Sequence, residues 1–121
     1  MAKPVVHFEI AGRDGKKSCD FYGKLFDWKI NREIGGMDYN LVPAAGDKSI
    51  GGGIFTAPTG MAPCVTFYVE VEDLQKYLDK AVSLGGKITQ PPTPIPIPGI
   101  GSSAMFTDPD GLLIGLFKSN A

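Results

Sequence analysis

VVHFEIAGRDGKKSCDFYGKLFDWK (5–29) and CVTFYVEVEDLQKYLDKAVSLGGKI (64–88) carry one pattern twice, at a spacing of 59 residues. Val6, Phe8, Asp14, Lys17, Asp20 and Leu25 recur as Val65, Phe67, Asp73, Lys76, Asp79 and Leu84, with Ile10/Val69 as a conservative seventh pair. In each copy apolar residues first alternate: Val6, Phe8 and Ile10 against Val5, His7 and Glu9, then Val65, Phe67 and Val69 against Thr66, Tyr68 and Glu70. A period of two is a strand with one apolar face. An aspartate then precedes a stretch of helical period. Asp14 and Asp73 are N-caps, because a carboxylate accepts from the unpaired N–H groups of a first turn. Phe21, Tyr22, Leu25 and Phe26 give the first helix its apolar stripe, and Leu74, Tyr77, Leu78, Ala81 and Val82 give the second. Phe21, Phe26 and Trp28 are expected in the core. Gly85-Gly86 ends the second helix, where a left-handed residue favours glycine. A strand and a helix cannot bury a core alone, so the copies are expected to pack together. A pseudo-two-fold between them sets His7 opposite Thr66.

Working outward, the remaining strands are expected near Trp28–Glu33, Asp38–Val42, Ile50–Thr56, Ser102–Thr107 and Leu112–Phe117. Gly35-Gly36 reads as a hairpin signal, and DPDG (108–111) as a turn whose aspartates bond their own backbone. Gly51-Gly52-Gly53 inside a strand signals a bulge, or close approach by a ligand or another backbone. QPPTPIPIPG (90–99) cannot be a central strand, since proline lacks the ladder's N–H; it reads as an edge or a polyproline segment. The predicted fold class is α+β. Two β-α-β-β-β modules, about 4–57 and about 63–118, form a cupped mixed sheet with the helices outside, within a single domain spanning 1–121.

Composition narrows the function. At 121 residues the length suits one domain, and 43% hydrophobic with 21% charged residues argues against disorder. The net charge is −1 and the lysines are scattered, so no basic face is offered to nucleic acid. No apolar run approaches the roughly 20 residues of a membrane span. MAKPVVHFEI lacks the charged-apolar-small order of a secretory signal. Cys19 and Cys64 have no metal-type spacing and are read as reduced thiols of a cytoplasmic protein, with a disulfide as the alternative. No Gly-x-Ser-x-Gly, no Cys/His pair and no phosphate loop is present, which leaves nucleophilic hydrolysis without a candidate.

With VVHFEI, DFYGKLFDW (20–28), FYVEVEDL (67–74) and FTDPDGLLIGLF (106–117) in this order, the chain resembles the vicinal oxygen chelate superfamily: glyoxalase I, extradiol dioxygenases, and fosfomycin- and bleomycin-resistance proteins. The resemblance covers nearly the whole chain and implies the paired-module fold derived above. It also implies a divalent metal held by several His, Glu or Gln side chains from the first and last strands of each module. His7 matches the first of these positions. Thr66 stands where a second histidine is usual, and Gly115 where a glutamate is usual. Residues 49–68 contain no Asp, Glu, His or Gln, and neither do residues 112–117. A lone imidazole does not hold zinc or a harder cation tightly, so no metal and no cofactor is expected.

These readings lead to a glyoxalase- or bleomycin-resistance-like protein that binds a small organic molecule without metal, contacting His7, Glu9, Thr66, Tyr68, Leu113, Gly115 and Phe117. Glycine at 115 is expected to leave room there for a flat or bulky ligand group. His7 is the candidate acid–base residue, its ordinary pKa permitting proton transfer near neutrality. The alternative is a metal-dependent glyoxalase I-like lyase or isomerase, or a dioxygenase, with ligands drawn from elsewhere. The expected partners are a small-molecule ligand and a second copy in a homodimer, with neither nucleic acid nor membrane.

Overall fold

The local rules of capping and alternation place most elements where the sequence puts them. The computed structural model describes residues 2–120. Those residues contain seven strands, two α-helices and a short 3-10 turn: β1 (Val5–Gly12), α1 (Gly15–Phe26), the turn Ile34–Gly36, β2 (Asn40–Val42), β3 (Gly51–Thr56), β4 (Cys64–Glu70), α2 (Leu74–Ser83), β5 (Lys87–Pro94), β6 (Gly101–Thr107) and β7 (Leu113–Ser119). The mixed α+β class agrees with the expectation. Asp14 caps α1 by accepting from the Lys16 and Lys17 amides, and Asp73 caps α2 by accepting from Lys76. Past α2, Gly85 has φ +102°, and the Gly86 amide donates back to the Ala81 carbonyl at 2.8 Å. This is the glycine C-terminus that the sequence announces.

The chain divides into two compact units, residues 7–66 and residues 1–6 with 67–121. In the first, β3 lies between β2 and β1, antiparallel to β2 and parallel to β1. The register pairs Ile10 with Ile54 and Asn40 with Ile54, so these side chains share a face. Cys19 of α1 packs there with Val42 and Ile54, flanked by Phe8, Ile10, Tyr22, Trp28 and Ile30. In the second unit the order is β4-β7-β6-β5. Leu74 and Leu78 of α2 bury Val71, Ala104 and Leu116, with Val69 and Phe106 beside them. In both units one sheet face meets the helix and the alternate residues point the other way.

The structure corrects two expectations. Residues 28–33 are not a strand: Asn31 makes only an isolated antiparallel bridge to Leu41. Asp27 (φ 57°) and Glu33 (φ 53°) are left-handed at either end, which stops a ladder from extending, and the Asn40 carboxamide takes the Glu33 amide at 2.9 Å. Phe21 and Phe26 are not core residues, being 60% and 53% exposed, and Leu25 is 57% exposed. The helix seats through its small residues instead: Gly15 and Cys19 are the buried ones, and a Cβ at Gly15 would lie 3.0 Å from the Thr56 amide nitrogen. Phe21 and Leu25 lie on the other side of α1 from that seat.

The proline-rich segment behaves as an edge. β5 pairs only with β6, with register shifts between Ile88 and Gln90 and between Gln90 and Thr93, the second falling where Pro91 and Pro92 have no N–H for the ladder. At 108–111 the Asp108 carboxylate accepts from the Asp110 and Leu112 amides, both at 2.9 Å, as its turn role requires.

Candidate functional site

Alternation along β1 sends Phe8 and Ile10 into the α1-facing core and leaves His7 and Glu9 on the opposite face, both half-buried. Between them the structure inserts Tyr39, which the sequence reading did not single out. The Tyr39 Oη lies 2.7 Å from His7 Nε2 and donates to Glu9 Oε2 at 2.9 Å. The Tyr39 and His7 rings are nearly parallel, with centroids 6.4 Å apart, and Phe55 stacks on Tyr39 at 5.8 Å. Burial pushes the His7 imidazole below its ordinary value of 6.5, toward the neutral form.

Glycine makes this arrangement fit. Leu41 pairs with Gly53, and Glu9 pairs with Gly53 from the other side, so an added Cβ at Gly53 would point where the Tyr39 ring lies. Gly52 plays the same part on the core face, under the Phe8 ring, and a Cβ at Gly51 would meet the Val42 carbonyl. The triple glycine therefore marks close approach, as expected, but by the chain's own aromatic rings as well as its backbone. Parity contained the missed signal. Asn40 and Val42 are buried toward the core, so Tyr39 and Leu41 must point to the His7 face.

In the second unit Tyr68 pairs with Gly115, and the Tyr68 ring lies over that glycine. The room that Gly115 was expected to leave for a ligand group is filled in this structure by Tyr68 itself. The Tyr68 hydroxyl reaches Met105 Sδ at 3.9 Å. Leu113, Gly115 and Phe117 alternate along β7 on the face away from α2, since Leu116 between them joins the core. Thr66 is buried at 5% exposure, with its hydroxyl 3.9 Å from the Cys64 sulfur. Both cysteines are free thiols, and burial raises that of Cys19.

Beneath Tyr39 a polar lattice fixes the approach of β2. Asn40 is buried and donates to the Ile54 carbonyl at 2.8 Å; Asp38 accepts from the Thr56 amide at 3.0 Å. That backbone donor, with the Thr56 and Asn40 side chains and nearby Lys16, holds the Asp38 carboxyl below its usual range. Asp38 and Asn40 thus pin the residues on either side of Tyr39.

Two shallow hollows lie elsewhere. One of about 230 Å³ is bounded by Arg13, Pro58, Met61 and neighbours, and one of about 410 Å³ by Lys3, Glu70, Glu72, Lys118 and neighbours. Neither contains His7, Glu9 or Tyr39, and a concavity without converging reactive groups is a weaker guide to chemistry than a bonded His–Tyr–Glu set. Among the described residues no three His, Cys, Asp or Glu side chains cluster closely enough to hold a metal ion. At two positions that the resemblance makes metal ligands, His7 Nε2 lies 2.7 Å from a phenol and Gly115 has a tyrosine ring over it. No helix among the described residues is long and apolar enough to cross a membrane.

Known proteins share this architecture. The profile of the Glyoxalase/Bleomycin resistance protein/Dioxygenase superfamily matches residues 5–116. CFP32, a proposed glyoxylase of Mycobacterium bovis and Mycobacterium tuberculosis, is 30% identical over 130 aligned positions that take in 93% of this chain. The chain spans only 44% of the length of those curated relatives. Among solved structures, a variant of Streptomyces coelicolor methylmalonyl-CoA epimerase, in complex with 2-nitronate-propionyl-CoA, superposes with a TM-score of 0.71 at 14% identity, over 100% of this chain and 97% of the other. A glyoxalase/bleomycin resistance protein/dioxygenase superfamily member from Vibrio splendidus gives 0.67 at 17% identity, over 98% and 100%. At these identities the likeness is one of fold.

Proposed function

The chain belongs to the Glyoxalase/Bleomycin resistance protein/Dioxygenase superfamily, and from that premise we propose that it binds a small organic molecule on the sheet face carrying His7, Tyr39 and Glu9, without a metal ion. The observation that supports this most is the Tyr39 hydroxyl standing between the imidazole and the carboxylate at 2.7 and 2.9 Å. Two groups that could serve as ligands to an ion are instead bonded to one phenol. A half-buried, aromatic-walled set of polar groups suits an organic ligand, which gains both apolar contact and a few oriented hydrogen bonds. His7 and Glu9 are the contact residues in the 7–66 unit, together with Thr66. In the other unit the proposed contacts are Tyr68, Leu113, Gly115 and Phe117, on the face away from α2.

The same reading makes the protein a cytoplasmic homodimer that binds no nucleic acid. Two free thiols support the cytoplasmic part of it, and a net charge of −1 with dispersed lysines supports the part about nucleic acid. Thermal unfolding in the presence of panels of aromatic and thiol-containing metabolites tests the binding proposal. A ligand that binds only the folded chain raises Tm as its concentration passes Kd. The expected result is a concentration-dependent rise with at least one class, abolished in His7→Ala and Tyr39→Ala proteins. No rise with any class would overturn it.

A further inference from the structure

The Tyr39 hydroxyl has one hydrogen, and His7 Nε2 and Glu9 Oε2 could each accept it. An ionised carboxylate has no proton to give and only accepts; a neutral imidazole donates from one nitrogen and accepts at the other. Tyr39 donates to Glu9 Oε2. His7 Nε2, 2.7 Å from the same oxygen, is then left as the donor. The bonds form a directed series, Nε2–H to Oη, then Oη–H to Oε2, with all three groups in the 7–66 unit.

We infer that Tyr39 is the positioning residue of this site: it holds His7 as the Nε2–H tautomer, with the lone pair on Nδ1, and ties that choice to an ionised Glu9. The inference deepens the proposed binding function and rests on it for its role, though not for its test. Nδ1 is the atom at which the imidazole acts as a base, so the fitting ligand group is a hydrogen-bond donor or weak acid. If such a proton is transferred, the N–H bond forms at Nδ1, the ligand keeps the electron pair as its anion, and Glu9 stays ionised throughout. Nε2 has no lone pair to offer a cation in this state. The phenol thereby blocks metal ligation through Nε2. The reverse order, with Tyr39 donating to Nε2, requires a protonated Glu9 and leaves Nε2 with no hydrogen.

His7 being the sole histidine, nitrogen NMR of the uniformly labelled protein at neutral pH reports its tautomer without ambiguity. The expected spectrum shows a hydrogen on Nε2 that exchanges slowly with water, an unprotonated Nδ1, and a Glu9 carboxyl carbon shift of the ionised form. In Tyr39→Phe, which keeps the ring but removes the hydroxyl, the Nε2 hydrogen loses the phenolic acceptor and exchanges measurably faster. A hydrogen on Nδ1 in the unaltered protein, a protonated Glu9, or an Nε2–H whose exchange ignores Tyr39→Phe would each overturn the inference. The first two readings need no variant, so they stand even if Tyr39→Phe folds poorly. All of them are made without ligand, so a failed ligand panel and a failed tautomer assignment are separate results.

Discussion

Protonating His7 in the folded chain is harder than in water, because burial penalises the imidazolium more than the neutral ring. The unfolded chain takes that proton near 6.5, and the folded chain only at a lower pH. Between those values the unfolded state holds more protons, so stability rises with pH. The His7 contribution is complete above about 6.5 and is lost as pH falls through the folded value. Unfolding measured across that window should therefore show Tm falling on acidification, and His7→Gln should flatten the slope there; an unchanged slope would refute the assignment. At Gly53 the governing effect is steric, since an added methyl meets the Tyr39 ring. Gly53→Ala should lower stability by ~1–3 kcal/mol, the usual penalty of overpacking. In a Tyr39→Ala background the same change should be close to neutral, and a double-mutant cycle by denaturant titration reads the coupling directly. Additive losses would mean that the ring and the glycine are not in contact.

Helices α1 and α2 come from the same repeat yet bury different kinds of residue. Successive residues turn roughly 100° about a helix axis, so Phe21 lies roughly 200° from Cys19, on the far side from the seat. Gly15 and Cys19 bring α1 close to β3, and the Phe21 and Leu25 row faces outward. In α2 the large residues Leu74 and Leu78 make the seat themselves. Chemical denaturation should separate the two helices. Leu78→Ala removes a fully buried side chain and is expected to cost ~2–5 kcal/mol, whereas Phe21→Ser should change stability by less than about 0.5 kcal/mol, as exposed substitutions do. A large loss from Phe21→Ser would show that the outward row is buried in solution. At the α2 N-terminus, Asp73→Ala leaves the Lys76 amide without its carboxylate and should cost ~1 kcal/mol.

For the molecule as a whole, the proposed reading keeps the family fold without the family metal. The alternation, the caps and the DPDG turn all lie within residues 5–116, which match the superfamily profile. Residues at the ligand positions do not follow: threonine at 66, glycine at 115, and a histidine bonded to a tyrosine at 7. Metal analysis after incubation with excess Zn²⁺ or Mn²⁺ and gel filtration should find well under one equivalent per chain. One tightly held equivalent would restore the metal-dependent lyase reading and remove the proposed one.

The capped helices, the strand faces, the proline edge and the closing turn could all be read from the chain, because each depends on neighbours within a few residues. Period, cap and turn chemistry are local properties and survive whatever the rest of the chain does. Residues 28–33 defeated that reading, since left-handed Asp27 and Glu33 and a carboxamide from Asn40 ended a strand whose composition favoured one. So did Phe21 and Phe26, because Gly15 and Cys19, not the larger residues, are the ones that α1 buries. His7 and Glu9 were legible as a polar pair on one strand face. That Tyr39, thirty-two residues after His7, stands between them was a matter of register between β1, β3 and β2. Register is a property of paired strands, and no single segment contains it; the partner that makes His7 and Glu9 a site came from tertiary structure alone.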